Sequence, residues 1–188
     1  MTNTMNILEM KNRLKKIIEK RSLKRGEFVL ASGRKSNFYF NLKETIFYPE
    51  SSLLIADLMV EQIGRNFPKY VGGLEMGAVP LAAYVGLRSE QLGKPIQPFF
   101  VRKIAKDHGT QRRIDIDLIP GSRVVVLEDV TTSGNSAIIA AQAVRDIGCE
   151  VDTVVTLLDR QEGARKSLSK EGIELQAIFE AEDFNLIS

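Results

Sequence analysis

Apolar residues recur along this chain with two different periods, and the alternation between them predicts its elements. In 5–21 (MNILEMKNRLKKIIEKR), Ile7, Leu8, Leu14, Ile17 and Ile18 fall near helical spacing with lysines between them, which predicts an amphipathic helix. The next stretch, GEFVLASGRKSNFYFNLK, holds two short runs rich in Phe, Tyr and Val around Ser32, Gly33 and Arg34, and reads as a small hairpin-like element. Pro49 then opens a helix, PESSLLIADLMVEQIGRNF, at the first-turn position that proline tolerates. Beyond it, apolar runs predict strands at 70–74, 97–101 (QPFFV), 123–129 (RVVVLED), 151–159 (VDTVVTLLD) and 173–179 (IELQAIF). Helices are predicted between them at 79–92, 136–147 and 163–170, and a long polar segment fills 102–121.

Strands alternating with helices imply right-handed βαβ units, hence an α/β fold with a central, mostly parallel sheet. The all-apolar VVV and VVTLL runs suit strands covered on both faces. In such sheets ligands bind beyond the carboxyl ends of the strands, so the strand-end loops are where function is expected.

Composition narrows the class further. A length of 188 residues suits one domain, 1–188, with a core large enough to stand without staples. A hydrophobic share of 44% beside 27% charged residues excludes wholesale disorder. The single cysteine, Cys149, excludes an internal disulfide and a Cys-based zinc site, so the chain reads as intracellular, with any metal held by oxygens or by a substrate. No run approaches the ~20 apolar residues of a membrane span, and the N-terminus lacks a secretory core.

The net charge of +2 conceals an uneven distribution: residues 1–35 carry ten Lys/Arg against three Glu, and 102–113 carry five against one Asp. Residues 171–188 carry five acids and no base. Local positive fields serve anions, either a nucleic acid or a small phosphorylated substrate. The basic face of the first helix reads more simply as a solvated surface.

The most informative segment is 124–136, VVVLEDVTTSGNS. A buried strand delivers two adjacent carboxylates, Glu128 and Asp129, and a hydroxyl- and glycine-rich turn then feeds a helix. Val130, Thr131, Thr132, Ser133, Gly134, Asn135 and Ser136 form a candidate phosphate cradle, because free amides and the positive helix end converge there, with the hydroxyls of Thr131, Thr132, Ser133 and Ser136 able to add bonds. The turn matches neither G-x-x-x-x-G-K-S/T nor G-x-G-x-x-G, which argues against nucleoside triphosphatase and dinucleotide chemistry. The carboxylates then need ribose hydroxyls or a Mg²⁺ held by a polyphosphate as their partner. A second polar segment, 102–113 (RKIAKDHGTQRR), holds the only histidine and almost no apolar residue. It reads as a loop that orders on a ligand, with Gly109 as a hinge and Arg102, Lys103, Lys106 and His108 placed to neutralise a departing anion.

Hydrophobic strand, acid-acid, then T-T/S-x-G-x-S/T resembles the phosphoribosyl-diphosphate (PRPP) motif of type I phosphoribosyltransferases, and R-K-x-x-K-D-H-G resembles the catalytic loop of the orotate phosphoribosyltransferases. GEFVLASGRKSNFYFN is similar to the family's N-terminal hood, and 158–164 (LDRQEGA) to its D-R-x-E-G-A turn near the base. The resemblance implies the type I phosphoribosyltransferase fold, a central sheet flanked by helices with a hood over roughly 1–45. It further implies transfer of ribose 5-phosphate from PRPP to orotate, giving orotidine 5′-monophosphate and pyrophosphate in de novo pyrimidine (UMP) synthesis, with Mg²⁺ carried by PRPP.

By matching positions, Glu128 and Asp129 would bind the ribose hydroxyls, the 130–136 turn the 5′-phosphate, and Thr132 and Arg160 the orotate. Arg102, Lys103, Lys106 and His108 would close over the pyrophosphate. An arginine fork suits the orotate carboxylate; without the resemblance, Arg160 reads as a helix-start salt bridge. Also implied are a cytoplasmic homodimer that shares loop 102–113 between subunits, and no nucleic-acid or membrane partner. Ala31 and Met76 stand where some members carry lysines. Two other readings are a PRPP-sensing regulator that binds nucleic acid through the first helix, and a purine phosphoribosyltransferase.

Overall fold

In a computed structural model, which describes residues 5–29, 35–64, 67–104 and 112–186, the chain opens with helix α1 (Ile7–Arg21). Asn6 and Glu9 close a reciprocal capping box at its start, and Leu14, Ile17 and Ile18 form its buried face. On its basic face, Lys11 and Lys15 lie over the rings of Phe179 and Phe184 at 5.5 and 5.9 Å. Strands β1 (Leu23–Val29) and β2 (Lys35–Phe40) pair antiparallel as the hairpin the sequence predicts. The expected centre of that hairpin, Ser32 to Arg34, and Ala31 lie outside the described residues.

A single turn, α2 (Lys43–Ile46), precedes α3 (Pro49–Ile63), whose last helical residue lies four residues before the Phe67 that closes the expected helix, with Gly64 stopping it at φ +77. Then follow β3 (Tyr70–Gly72), α4 (Ala78–Gln91), β4 (Gln97–Pro98), β5 (Arg123–Thr131), α5 (Asn135–Arg145), β6 (Glu150–Asp159), α6 (Ala164–Lys170), β7 (Glu174–Glu180) and a 3-10 turn at Ala181–Phe184. The strand expected over 97–101 is regular only at its first two residues. Pro98 has no N–H to give, and the pairing continues through single bonds, Phe99 N–H to the Val71 carbonyl and Val101 N–H to the Gly73 carbonyl.

The five later strands form one parallel sheet in the order β4-β3-β5-β6-β7. Strand periodicity divides β5 between two cores. Val125 and Leu127 pack with α3 and α4, while Val124 and Val126 pack with the alanine-rich face of α5 and with α6. All four are fully buried, as a parallel strand covered on both faces requires. The chain leaves β3 toward the β4 edge and returns on the other side as β5. Connections from β3 and β5 therefore diverge at their carboxyl ends, which opens a crevice there.

Candidate active site

The period-two alternation that divides the core also aims the two carboxylates. Glu128 continues the Val124–Val126 face and lines a small cavity of about 50 Å³ with Val130, Thr131, Thr132, Ser133, Gly134, Asn135 and Ser136. Asp129 continues the other face and lines a cavity of about 190 Å³ with Lys43, Ile46, Phe47, Met76, Gly77 and Pro80. The two acids thus line different cavities while their carboxyl groups stay within hydrogen-bonding reach of each other. Glu128 is 5% exposed and its Oε2 is buried without a hydrogen-bond partner. Burial first, then the charge of neighbouring Asp129 and a hydrogen bond with it, push the Glu128 carboxyl up to about 8, with Lys103 opposing the rise.

The turn after β5 has the backbone geometry expected of a cradle. Gly134 takes a left-handed conformation, φ +86, and a Cβ there would sit 3.4 Å from Ala164 and Leu168 of α6. No side chain caps α5, and the amide of Ile138 bonds to the Gly134 carbonyl, so the amides of the first turn are left for an anion. Thr132 is half-buried and Ser133, Asn135 and Ser136 are exposed. Thr131 departs from the expectation that its hydroxyl serves the cradle. It is 2% exposed, and its Oγ1 turns inward to Asp159 Oδ1 at 3.3 Å and the Leu158 carbonyl at 3.5 Å. Because β5 runs two residues further than the sequence predicts, Thr131 is still in the ladder.

In that ladder Thr131 pairs with Asp159, so the next residues, Thr132 and Arg160, emerge together. The Arg160 amide donates to the Thr131 carbonyl at 2.9 Å. The fully buried Asp159 accepts from the amide of Gln161 at 2.9 Å, holding that residue at φ +59, a conformation side chains seldom adopt. The guanidinium of Arg160 lies 4.9 Å from the ring of Phe38, and its Nε is 2.8 Å from Glu162. Phe38 arrives from the hairpin, which an aromatic ladder ties to the sheet: Phe38 to Phe40 at 5.8 Å, Phe40 to Phe184 at 5.4 Å and Phe184 to Phe179 at 5.6 Å.

The basic loop reaches the crevice through Lys103. Its amide donates to Glu75 in the β3 turn at 2.9 Å, and its charge acts on Glu128. Arg102 is held on the loop stem, 2.6 Å from Asp115 and over the ring of Phe100. Lys106 and His108 lie outside the described residues. The sequence alone does not assign Asp159, Glu162, Phe38, Gly77 or Glu75 to the site. D-R-x-E-G-A contains the first two, but nothing local signals the hairpin's approach to Arg160 or that of Gly77 to Asp129.

The phosphoribosyl transferase domain family matches residues 48–186. An orotate phosphoribosyltransferase of Bradyrhizobium sp. (strain ORS 278) is 47% identical over 176 residues, 92% of this chain and 95% of the relative. That of Aquifex aeolicus is 44% identical over 172 residues, 90% and 94% of the two chains. A crystal structure of the Mycobacterium tuberculosis orotate phosphoribosyltransferase with PRPP superposes with a TM-score of 0.79 at 33% identity, covering 94% of this chain and 99% of that one. A Trypanosoma brucei adenine phosphoribosyl transferase, at 14% identity and a TM-score of 0.67 over 92% and 80% of the chains, shares the fold. The chain therefore belongs to the phosphoribosyl transferase family, among its orotate phosphoribosyltransferases.

Proposed function

We propose that this protein transfers the 5-phosphoribosyl group of PRPP to orotate, releasing pyrophosphate and forming orotidine 5′-monophosphate in pyrimidine synthesis. The observation that carries this reading is the meeting of Arg160 with the cradle. A phosphate-binding turn and a carboxylate-binding guanidinium leave neighbouring strands at paired positions, one for each end of the product. In this reading the open amides of α5, with Thr132, Ser133 and Ser136, hold the 5′-phosphate. Glu128 and Asp129, neighbours near the end of β5, face the ribose hydroxyls together. Arg160 and Thr132 orient orotate, a planar acid with a carboxylate for the fork. Lys103, with Arg102, Lys106 and His108, neutralises the diphosphate as its bond to the ribose breaks. The catalysis is electrostatic and positional, with no covalent nucleophile required.

The donors present fit a magnesium ion that arrives with PRPP. Among the described residues no three His, Cys, Asp or Glu side chains cluster to cage a metal. Glu128, with its unpartnered buried oxygen, and Asp129 are the pair available, and Mg²⁺ is usually held by one or two carboxylates plus substrate phosphates. When bound, the ion would offset the diphosphate charge.

We further propose one domain over 1–188 with its hood at 1–45, acting in the cytoplasm as a homodimer whose 102–113 loops serve across the interface. Phe47 and Met76, which line the same cavity, are 64% and 62% exposed, apolar surface that suits a second copy. Cys149 is a free buried thiol, in keeping with a reducing compartment. No described helix is long and apolar enough to cross a membrane. The test follows orotate absorbance after addition of PRPP and Mg²⁺. The expected result is a fall that requires both; no change with the folded dimeric protein would overturn the reading.

A further inference from the structure

Arg160 is restrained on three sides before any base arrives. Its amide is bonded to Thr131, its guanidinium carbon lies over the Phe38 ring at 4.9 Å, and its Nε lies 2.8 Å from Glu162 Oε1. Arginine and glutamate side chains are only 9% and 12% exposed, so the pair sits in a poorly solvated place where its attraction is strong. The Nε–H is not aligned for a hydrogen bond to that oxygen, so the hold is one of charge. The two terminal nitrogens of Arg160 donate no hydrogen bond to a described residue.

From this arrangement we infer that Glu162 is a positioning residue, holding Arg160 against Phe38 by its Nε edge so that the terminal edge is presented to a carboxylate on the incoming base. This inference rests on the reading of Arg160 as the orotate contact.

Two effects of Glu162 on an anionic base oppose each other, and they differ in sign. As a negative charge near the carboxylate subsite it weakens orotate binding, so its neutralisation alone would lower the orotate KM. As the anchor of a long, flexible side chain it strengthens binding, so its loss would raise that KM. Positioning dominates here, because an arginine with two open nitrogens and no anchor must be ordered afresh by each substrate.

The test is steady-state kinetics on the full chain with Glu162→Gln, a nearly isosteric change, beside Arg160→Gln and the double variant. Glu162→Gln is expected to raise the orotate KM about tenfold while leaving the PRPP KM within about twofold, since freeing one held arginine costs up to about one decade in affinity. In the Arg160→Gln background the same change should do nothing more. An orotate KM that falls or stays put in Glu162→Gln, beside a raised one in Arg160→Gln, overturns the inference alone. An unchanged orotate KM in Arg160→Gln overturns the base-site reading as well. A further loss from Glu162→Gln in the double variant would show that Glu162 does not act through Arg160.

Discussion

Replacement of Gly77 by alanine should disable Asp129 while sparing the fold. Gly77 has ordinary helical dihedrals, φ −58 and ψ −42, so alanine meets no backbone penalty there. A Cβ at that position would lie 2.4 Å from Asp129 Oδ1, 2.5 Å from its Cγ and 2.7 Å from its Oδ2, where ordinary contact starts at 3.4 Å. The carboxylate must therefore retreat by about 1 Å, and being half-buried it has solvent to retreat into. The stability lost is that of its bond from the Val130 amide, 2.9 Å long, about 1 kcal/mol, or a melting shift of roughly 2–4 °C for a chain this size. The activity lost is much larger, because a 1 Å misplacement of a positioning group costs about a hundredfold, or about 2.7 kcal/mol in the barrier. Steady-state kinetics with varied PRPP and a thermal melt separate the two. A variant within about threefold of the parent in kcat/KM for PRPP would refute a ribose role for Asp129. A melting point lower by more than about 10 °C would instead make Gly77 a packing residue.

Three further outcomes are expected. Because Glu128 is raised from 4.5 to about 8, its stabilising effect is fully present below about pH 4.5 and is lost as pH climbs through 8. Glu128→Gln should remove that component of the pH dependence in urea titrations, and parallel curves for both proteins between about pH 5 and 9 would contradict the burial argument. Arg160→Lys keeps the charge but loses the planar fork, so the orotate KM should rise by about ten- to a hundredfold with the PRPP KM little changed; equal shifts in both would argue against a base-specific role. Lys103→Ala, like Lys106→Ala and His108→Ala, should cut kcat by about a hundredfold with stability changed by no more than about 0.5 kcal/mol. Activity that survived all three would remove the loop from the leaving-group role.

The cradle was legible because everything it needs is contiguous. A buried strand, two acids, a left-handed glycine and an uncapped helix start occupy thirteen consecutive residues, and strand periodicity and amide geometry do the rest. That alternation also gives Glu128 and Asp129 different cavities to line, a consequence available from sequence but obscured by their adjacency. The apolar run QPFFV reads as one continuous strand over 97–101, although Pro98 interrupts the regular ladder. Turn α2 is four residues long, too short to show a period. Phe38 over Arg160 and Gly77 against Asp129 are contacts between segments more than fifty residues apart in sequence, created only when the hairpin docks on Phe184 and when β3 pairs with β5.

The central claim, that one crevice joins a phosphate cradle to a carboxylate-reading arginine, is tested most directly by comparing bases under identical conditions. The purified protein with PRPP and Mg²⁺ is given orotate, uracil, adenine or hypoxanthine, and nucleotide and pyrophosphate are both quantified. Orotate should yield orotidine 5′-monophosphate and pyrophosphate in equal amounts, with uracil, which lacks the carboxylate, far behind and the purines inert. Equal turnover of uracil and orotate, or turnover of a purine alone, would contradict the account.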